Sequence, residues 1–287
     1  MAAPLLIGLL GRVELRVGDR EVRLPSRGPQ SLLAVLALKP RVRTREAVAS
    51  EIWPDGEGSG VSASLRQALW LLRSAFNGTG LDLDEYLDID AEVVGFRPSV
   101  QLDLDVARFE RLLEMRPARP EEALAIYRGD LTECLALECF ALERERLCDA
   151  YEDALALAAE ARMIAGDVDG ARSAALRLLS RDPLREEAHA VLISAHGQAG
   201  SRSQVVRQYR RLAEMLEREL GVEPLPETVA VFRASIAATV ERSRARSASS
   251  AFVHRSSAGP GRDPVGIVRR MPVASVSERG IGVASTG

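Results

Sequence analysis

The stretch Ser62-Ala63-Ser64-Leu65-Arg66-Gln67-Ala68-Leu69-Trp70-Leu71-Leu72-Arg73-Ser74-Ala75-Phe76 repeats large apolar residues at Leu65, Leu69, Leu72 and Phe76. Those intervals of 4, 3 and 4 put four side chains on one stripe of a helix. The opposite face carries Ser62, Arg66, Gln67, Trp70, Arg73 and Ser74, and Asn77-Gly78 with Gly80 stops the helix. A helix divided in this way has one side for a core and a polar, basic side for water or a partner.

Upstream, Thr44 is placed to cap a short helix with Glu46 in its first turn and Val48, Ile52 and Trp53 on one face before Pro54. Before that, Gln30 to Leu38 is apolar at 32, 33, 35, 36 and 38 and stops at Pro40, the pattern of a largely buried helix. The chain starts with an alternating hairpin, Val13–Val17 and Glu21–Leu24 around Gly18-Asp19. Downstream of Phe76, Tyr86–Ile89 and Glu92–Phe96 read as a second hairpin around Asp90-Ala91. The first hundred residues are thus hairpin, three helices, hairpin.

From Asp105, read as an N-cap, the pattern is helical to about Val240. Ala165-Gly166-Asp167 and Ala199-Gly200-Ser201 lie 34 residues apart, the period of tetratricopeptide helix pairs. Glu121–Tyr127 with Phe140–Met163 is expected to form an earlier pair, and Thr228–Val240 to close the array. Residues 241–287 turn to Ser, Arg, Gly and Pro without a period and read as a disordered tail. The expected domains are 1–104, 105–240 and the tail 241–287.

A chain of 287 residues with 46% hydrophobic and 28% charged residues can build a sizeable core. No apolar run is long enough to cross a bilayer, and Met1–Leu10 has neither a basic start nor a small-residue cleavage site, so a cytoplasmic location without membrane contact is expected. Cys134, Cys139 and Cys148 form no CxxC pair and are expected to be small buried hydrophobes. His189, His196 and His254 make no i, i+4 pair, and there is no phosphate loop, dinucleotide fingerprint or nucleophile elbow. Neither a metal, nor a cofactor, nor catalysis is expected. The net charge of −3 is unevenly distributed: residues 1–76 carry +4, 77–105 carry −7, 106–240 carry −5 and 241–287 carry +5.

Arg45-Glu46-Ala47-Val48 through Ile52-Trp53-Pro54, followed by Ser64 to Arg73, resembles the winged helix-turn-helix of response-regulator effector domains. Asp103 to Glu110, Tyr127-Arg128-Gly129-Asp130-Leu131, Asp182-Pro183-Leu184-Arg185-Glu186 and Glu219 to Pro224 resemble the bacterial transcriptional activation domain that follows it in transcription factors of the antibiotic regulatory protein type. The resemblance covers about residues 8 to 237. It implies a mainly α fold, an N-terminal winged helix-turn-helix with small β hairpins followed by an all-α tetratricopeptide-like domain. It also implies a transcriptional activator that binds double-stranded DNA at promoter repeats as a homodimer and contacts RNA polymerase. Ser62, Arg66, Gln67, Trp70 and Arg73 would face bases from the third helix, and Arg27, Arg43, Arg45 and Arg97 would hold phosphates.

Two features depart from that pattern. Trp70 is either buried, packed on a partner or stacked on a sugar. The wing from Leu81 to Glu92 contains six carboxylates and no basic residue, and carboxylates are repelled by phosphates. An alternative is therefore a protein-interaction scaffold with a degenerate winged helix that does not bind DNA. On the helical half, Arg207, Arg210 and Arg211 with Tyr209 form a candidate partner face. The basic tail is a further candidate for sequence-independent DNA affinity.

Overall fold

The computed structural model describes residues 3–56, 58–135 and 137–256. The first three strands, β1 (Leu5–Gly8), β2 (Glu14–Val17) and β3 (Arg20–Glu21), form an antiparallel meander. Its inner face is Leu5, Ile7, Leu15 and Val17, while Glu14 and Arg16 face out, the alternation that a sheet solvated on one side requires. The expected first hairpin is present as β2–β3; the strand before it is not evident in the sequence.

Helix α1 (Arg27–Leu38) buries eight residues, and the short strand β4 (Arg43–Thr44) leads into α2 (Arg45–Ile52). The Thr44 hydroxyl accepts from the Ala47 amide at 3.3 Å, the cap that the sequence predicts. Helix α3 (Gly58–Asn77) begins a turn before the predicted Ser62. Then β5 (Leu87–Ile89) and β6 (Val93–Phe96) form the second hairpin, with β4 as a third strand in the order β4-β6-β5. Gly95 lets this hairpin lie close to the chain before β4, because a Cβ there would sit 2.7 Å from the Val42 Cα. A final strand, β7 (Leu102–Leu104), pairs in parallel with β1, Leu5 opposite Leu102 and Ile7 opposite Leu104.

The helical half opens with α4 (Asp105–Glu114) and α5 (Pro120–Ile126). Asp105 is the first residue of α4 rather than its cap, and its carboxylate accepts from the amides of Leu9 and Leu10 at 2.8 Å. Burial pushes this carboxyl above its ordinary range, against the pull of the Leu10, Leu9 and Val106 amides. The same N-terminal segment bonds onward: Gly11 N–H donates to Asp130, and Thr132 N–H donates to Leu9, each across a gap of over a hundred residues.

Helices α6 (Ala141–Ala165) and α7 (Val168–Arg181), and then α8 (Glu186–Gln198) and α9 (Arg202–Leu220), are the two predicted antiparallel pairs. Their turns are made by Gly166 and Gly200 at φ 81° and 73°, left-handed conformations that favour glycine. The earlier pair is present, since α5 packs on α6 as expected, but α5 also packs on α4, and α6 makes its most extensive contact with α7. Helix α10 (Pro226–Ser256) starts where the closing helix was expected and continues past Val240. The part of the predicted tail from 257 to 287 lies outside the described residues.

One apolar core runs from β1 and α1 through Phe109, Tyr127 and Phe140 into α6 and α7. Tyr127 joins its parts: its ring lies 5.3 Å from Phe109 and stacks on Tyr151 at 4.1 Å, and its hydroxyl donates to Asp130.

Candidate nucleic-acid interface

The inner face of α3 is held by Leu65, Ala68, Leu69, Leu72 and Phe76, all buried, with Phe76 against the Tyr86 ring at 5.6 Å. Gly28 brings the first turn of α1 to within contact of Ala68. This fixes the helix with its other face outward. Ser62, Arg66, Gln67, Trp70, Arg73 and Ser74 are all exposed, as the periodicity requires. Trp70 is 65% exposed, which removes burial from the readings of this residue.

The arginines differ in what already holds them. Among the described residues Arg66 has no hydrogen-bond or ion-pair partner, whereas Arg73 pairs with Asp84. Arg27 is the first residue of α1, exposed and without a partner among the described residues, beside a helix start that Ser26 does not cap through its side chain. Arg43 turns inward to Glu51 at 2.6 Å, with only 24% of its side chain exposed. Glu51 also binds Lys39, whose ammonium lies 5.5 Å from the Phe140 ring centre. Burial raises the Glu51 pKa, but hydrogen bonds and charge from Lys39 and Arg43 outweigh it and hold the group below its ordinary value. Arg45 donates to the Asp90 carbonyl at 2.9 Å, and Arg97 donates to the Asp84 carbonyl at 2.7 Å while facing Asp88 at 3.9 Å.

The acidic wing is therefore a holding element. Asp82 accepts from the Asp84 amide at 3.0 Å to cap a 3-10 turn at Leu83–Glu85. Asp90 accepts from the Glu92 and Val93 amides at 2.7 Å, and these bonds, Val93 first, keep its carboxyl below the ordinary range. The Arg45 amide donates to the Glu92 carbonyl at 2.8 Å, so the start of α2 abuts the hairpin turn. The sequence reading took these acids as charge that repels phosphate; the signal it passed over is an Asp two residues before a turn amide, twice. It also passed over Arg41, exposed and with no side-chain partner among the described residues.

In the helical half, Arg207, Arg210 and Arg211 on α9 are exposed and unpaired among the described residues, and Tyr209 stacks on Phe232 at 4.2 Å, a structural contact between α9 and α10. His189 is buried between the Pro183 carbonyl and Gln208. Among the described residues no group of three His, Cys, Asp or Glu is placed to hold a metal. The cysteines correct the expectation: Cys134 is exposed and Cys139 and Cys148 are half-buried, Cys148 accepting from Arg181. No described helix is long and apolar enough to cross a membrane.

The architecture is a winged helix-turn-helix joined to a stack of helix pairs, mainly α as the sequence implies. Residues 104–235 match the family model of the bacterial transcriptional activator domain, so the helical half carries that domain. Among solved structures, the chain is similar to Mycobacterium tuberculosis EmbR in complex with a low-affinity phosphopeptide. The two are 22% identical with a TM-score of 0.62, over 83% of this chain and 65% of that one. The chain thus spans just under two thirds of that protein's length. A search of curated proteins finds no match.

Proposed function

We propose that the chain is a DNA-binding transcriptional regulator, an activator that reads promoter repeats through α3 and contacts polymerase or another partner through its helical half. The observation that carries this reading is the outward face of α3. Arg66 and Gln67, both able to make paired hydrogen bonds to base edges, stand exposed beside Trp70 on a helix whose other side is locked in a core. The match of residues 104–235 to a transcriptional activator domain supports the same class.

In this reading Ser62, Arg66, Gln67, Trp70 and Arg73 face bases. Arg27 and Arg45 hold phosphates, and Arg43 and Arg97 act first on the frame, through Glu51 and Asp84. With few free cations among the described residues of the front lobe, and an acidic wing, a single copy binds random DNA weakly through that lobe, and a homodimer on paired half-sites supplies specific affinity. A second reading, the scaffold that does not bind DNA, is favoured by one observation: Arg73, Arg97 and Arg45 are each engaged by the 82–92 segment.

Titration of the full chain with the DNA upstream of its own gene, against random duplex and across salt, decides between them. Salt-sensitive binding that exceeds random duplex is the expected result. Folded protein that binds neither duplex would replace the regulator with the scaffold.

A further inference from the structure

On the far side of the helical half, α6, α8 and the start of α10 enclose an open groove of about 790 Å³. Its apolar lining includes side chains that nothing described covers: Leu157 is 48% exposed, Leu225 55% and Ile164 81%. Ile164 points outward in the last turn of α6, where a solvated helix face would carry a polar residue. Around this lining stand five carboxylates, Asp153, Glu160, Glu186, Glu187 and Glu227, and one cation, Arg185. Arg185 is drawn into the wall by Asp153 at 2.9 Å and Glu187 at 3.5 Å. Glu186 accepts from the Leu225 amide at 2.9 Å, while Glu160 and Glu227 have no partner among the described residues. The groove is apolar within and negative at its edge.

We infer that this groove docks an amphipathic helix of a partner protein, with an apolar stripe flanked by arginine or lysine. Charge selects the flanks, since a basic edge meets Glu160 and Glu227 and an acidic one is repelled. The apolar floor selects a helix over an extended peptide. A helix arrives with its backbone groups already paired, whereas an extended chain would press open amides and carbonyls against side chains that cannot bond them. A second copy of this chain is a poorer occupant. Its α9, which carries the unpaired Arg207, Arg210 and Arg211, has already buried its apolar stripe of Val205, Leu212 and Leu216. The inference is independent of DNA binding by α3.

The test uses the full chain and a labelled synthetic helix of roughly 16 residues, about four turns, with leucines at i, i+3, i+4 and i+7 and flanking arginines. A twin peptide carries glutamates in place of the arginines. By fluorescence anisotropy, the arginine peptide is expected to bind at least about tenfold more tightly than its twin. Ile164→Asp should weaken it by about tenfold or more, and Glu160→Lys with Glu227→Lys should reverse the preference between the two peptides. Ile164 is so exposed that its substitution is not expected to disturb folding, which a thermal melt checks. DNA titration of each variant separates this surface from α3. Equal binding of both peptides, no binding by the wild-type chain, or binding indifferent to Ile164→Asp overturns the inference. So does concentration-dependent self-association that Ile164→Asp abolishes, which would give the groove to a second copy.

Discussion

The outer face of α3 and the wing stand side by side at the front of the molecule, and they treat arginine in opposite ways. On α3, Arg66 projects with no partner among the described residues. Along the wing, carboxylates and carbonyls of residues 84–90 engage Arg73, Arg97 and Arg45. Counting basic residues overstates what the lobe offers a phosphate: a guanidinium paired with an acid, as Arg73 is with Asp84, brings little net field to a polyanion, and one bonded to a backbone carbonyl, as Arg45 is to Asp90, has a donor already engaged. The wing orders the frame and leaves recognition to the helix.

If that contrast is right, Arg66→Ala has the largest effect on DNA. It should cost about 1 to 3 kcal/mol at the cognate site and relax base preference at one position, with random duplex little changed. Competition titrations against single-base variants of the site read this out, and an equal loss on specific and random duplex would erase the distinction between α3 and the wing.

Arg43→Ala should act on stability, by roughly 1.5 to 3 kcal/mol, the range for hydrogen bonds to a charged group. Its dependence on pH has a definite sign. Glu51 has a lowered pKa in the folded chain, so its ion pairs stabilise above the ordinary carboxylate pKa and lose that contribution as pH falls through the folded value. The gap between wild type and Arg43→Ala in urea denaturation should therefore hold from neutral pH down to the ordinary carboxylate range and narrow as pH falls below it, through the lower folded value. A gap that widens would place Arg43 outside the Glu51 pair.

Asp84→Asn should release Arg73 and unload one repulsive charge. The expected result is a few-fold gain on random duplex and a salt dependence steeper by about one phosphate contact. The smallest effect is expected for Arg45→Ala, which should weaken all sequences alike and lower the salt slope by about 1. If Arg45→Ala instead changes base preference, the hairpin turn that it holds at Asp90 is part of the reading surface.

The periodic elements were legible along the chain because helix faces and turns are local. The 4, 3, 4 spacing of Leu65, Leu69, Leu72 and Phe76 marked both the buried and the exposed side of α3. Thr44 marked the start of α2, and the glycines 34 residues apart marked the turns of two helix pairs. Strands β1 and β7 were not legible, because Leu5 and Leu102 pair across nearly the whole front lobe and each strand is too short to show a period. The packing of α4 on α5, beside the α5–α6 contact that the sequence did suggest, was missed for the same reason, since which further neighbour a short helix covers is a matter of packing.

The candidate site divides along the same line. Sequence alone determined which residue types face outward from α3, because the period of a helix commits its other side to the core. Only the tertiary structure decided which arginines are free: Arg73 lies 11 residues from Asp84 and Arg45 lies 45 from Asp90, and no local pattern foretells those meetings. Spacing along a chain sets which way a side chain points; what it meets there depends on where the rest of the chain has packed.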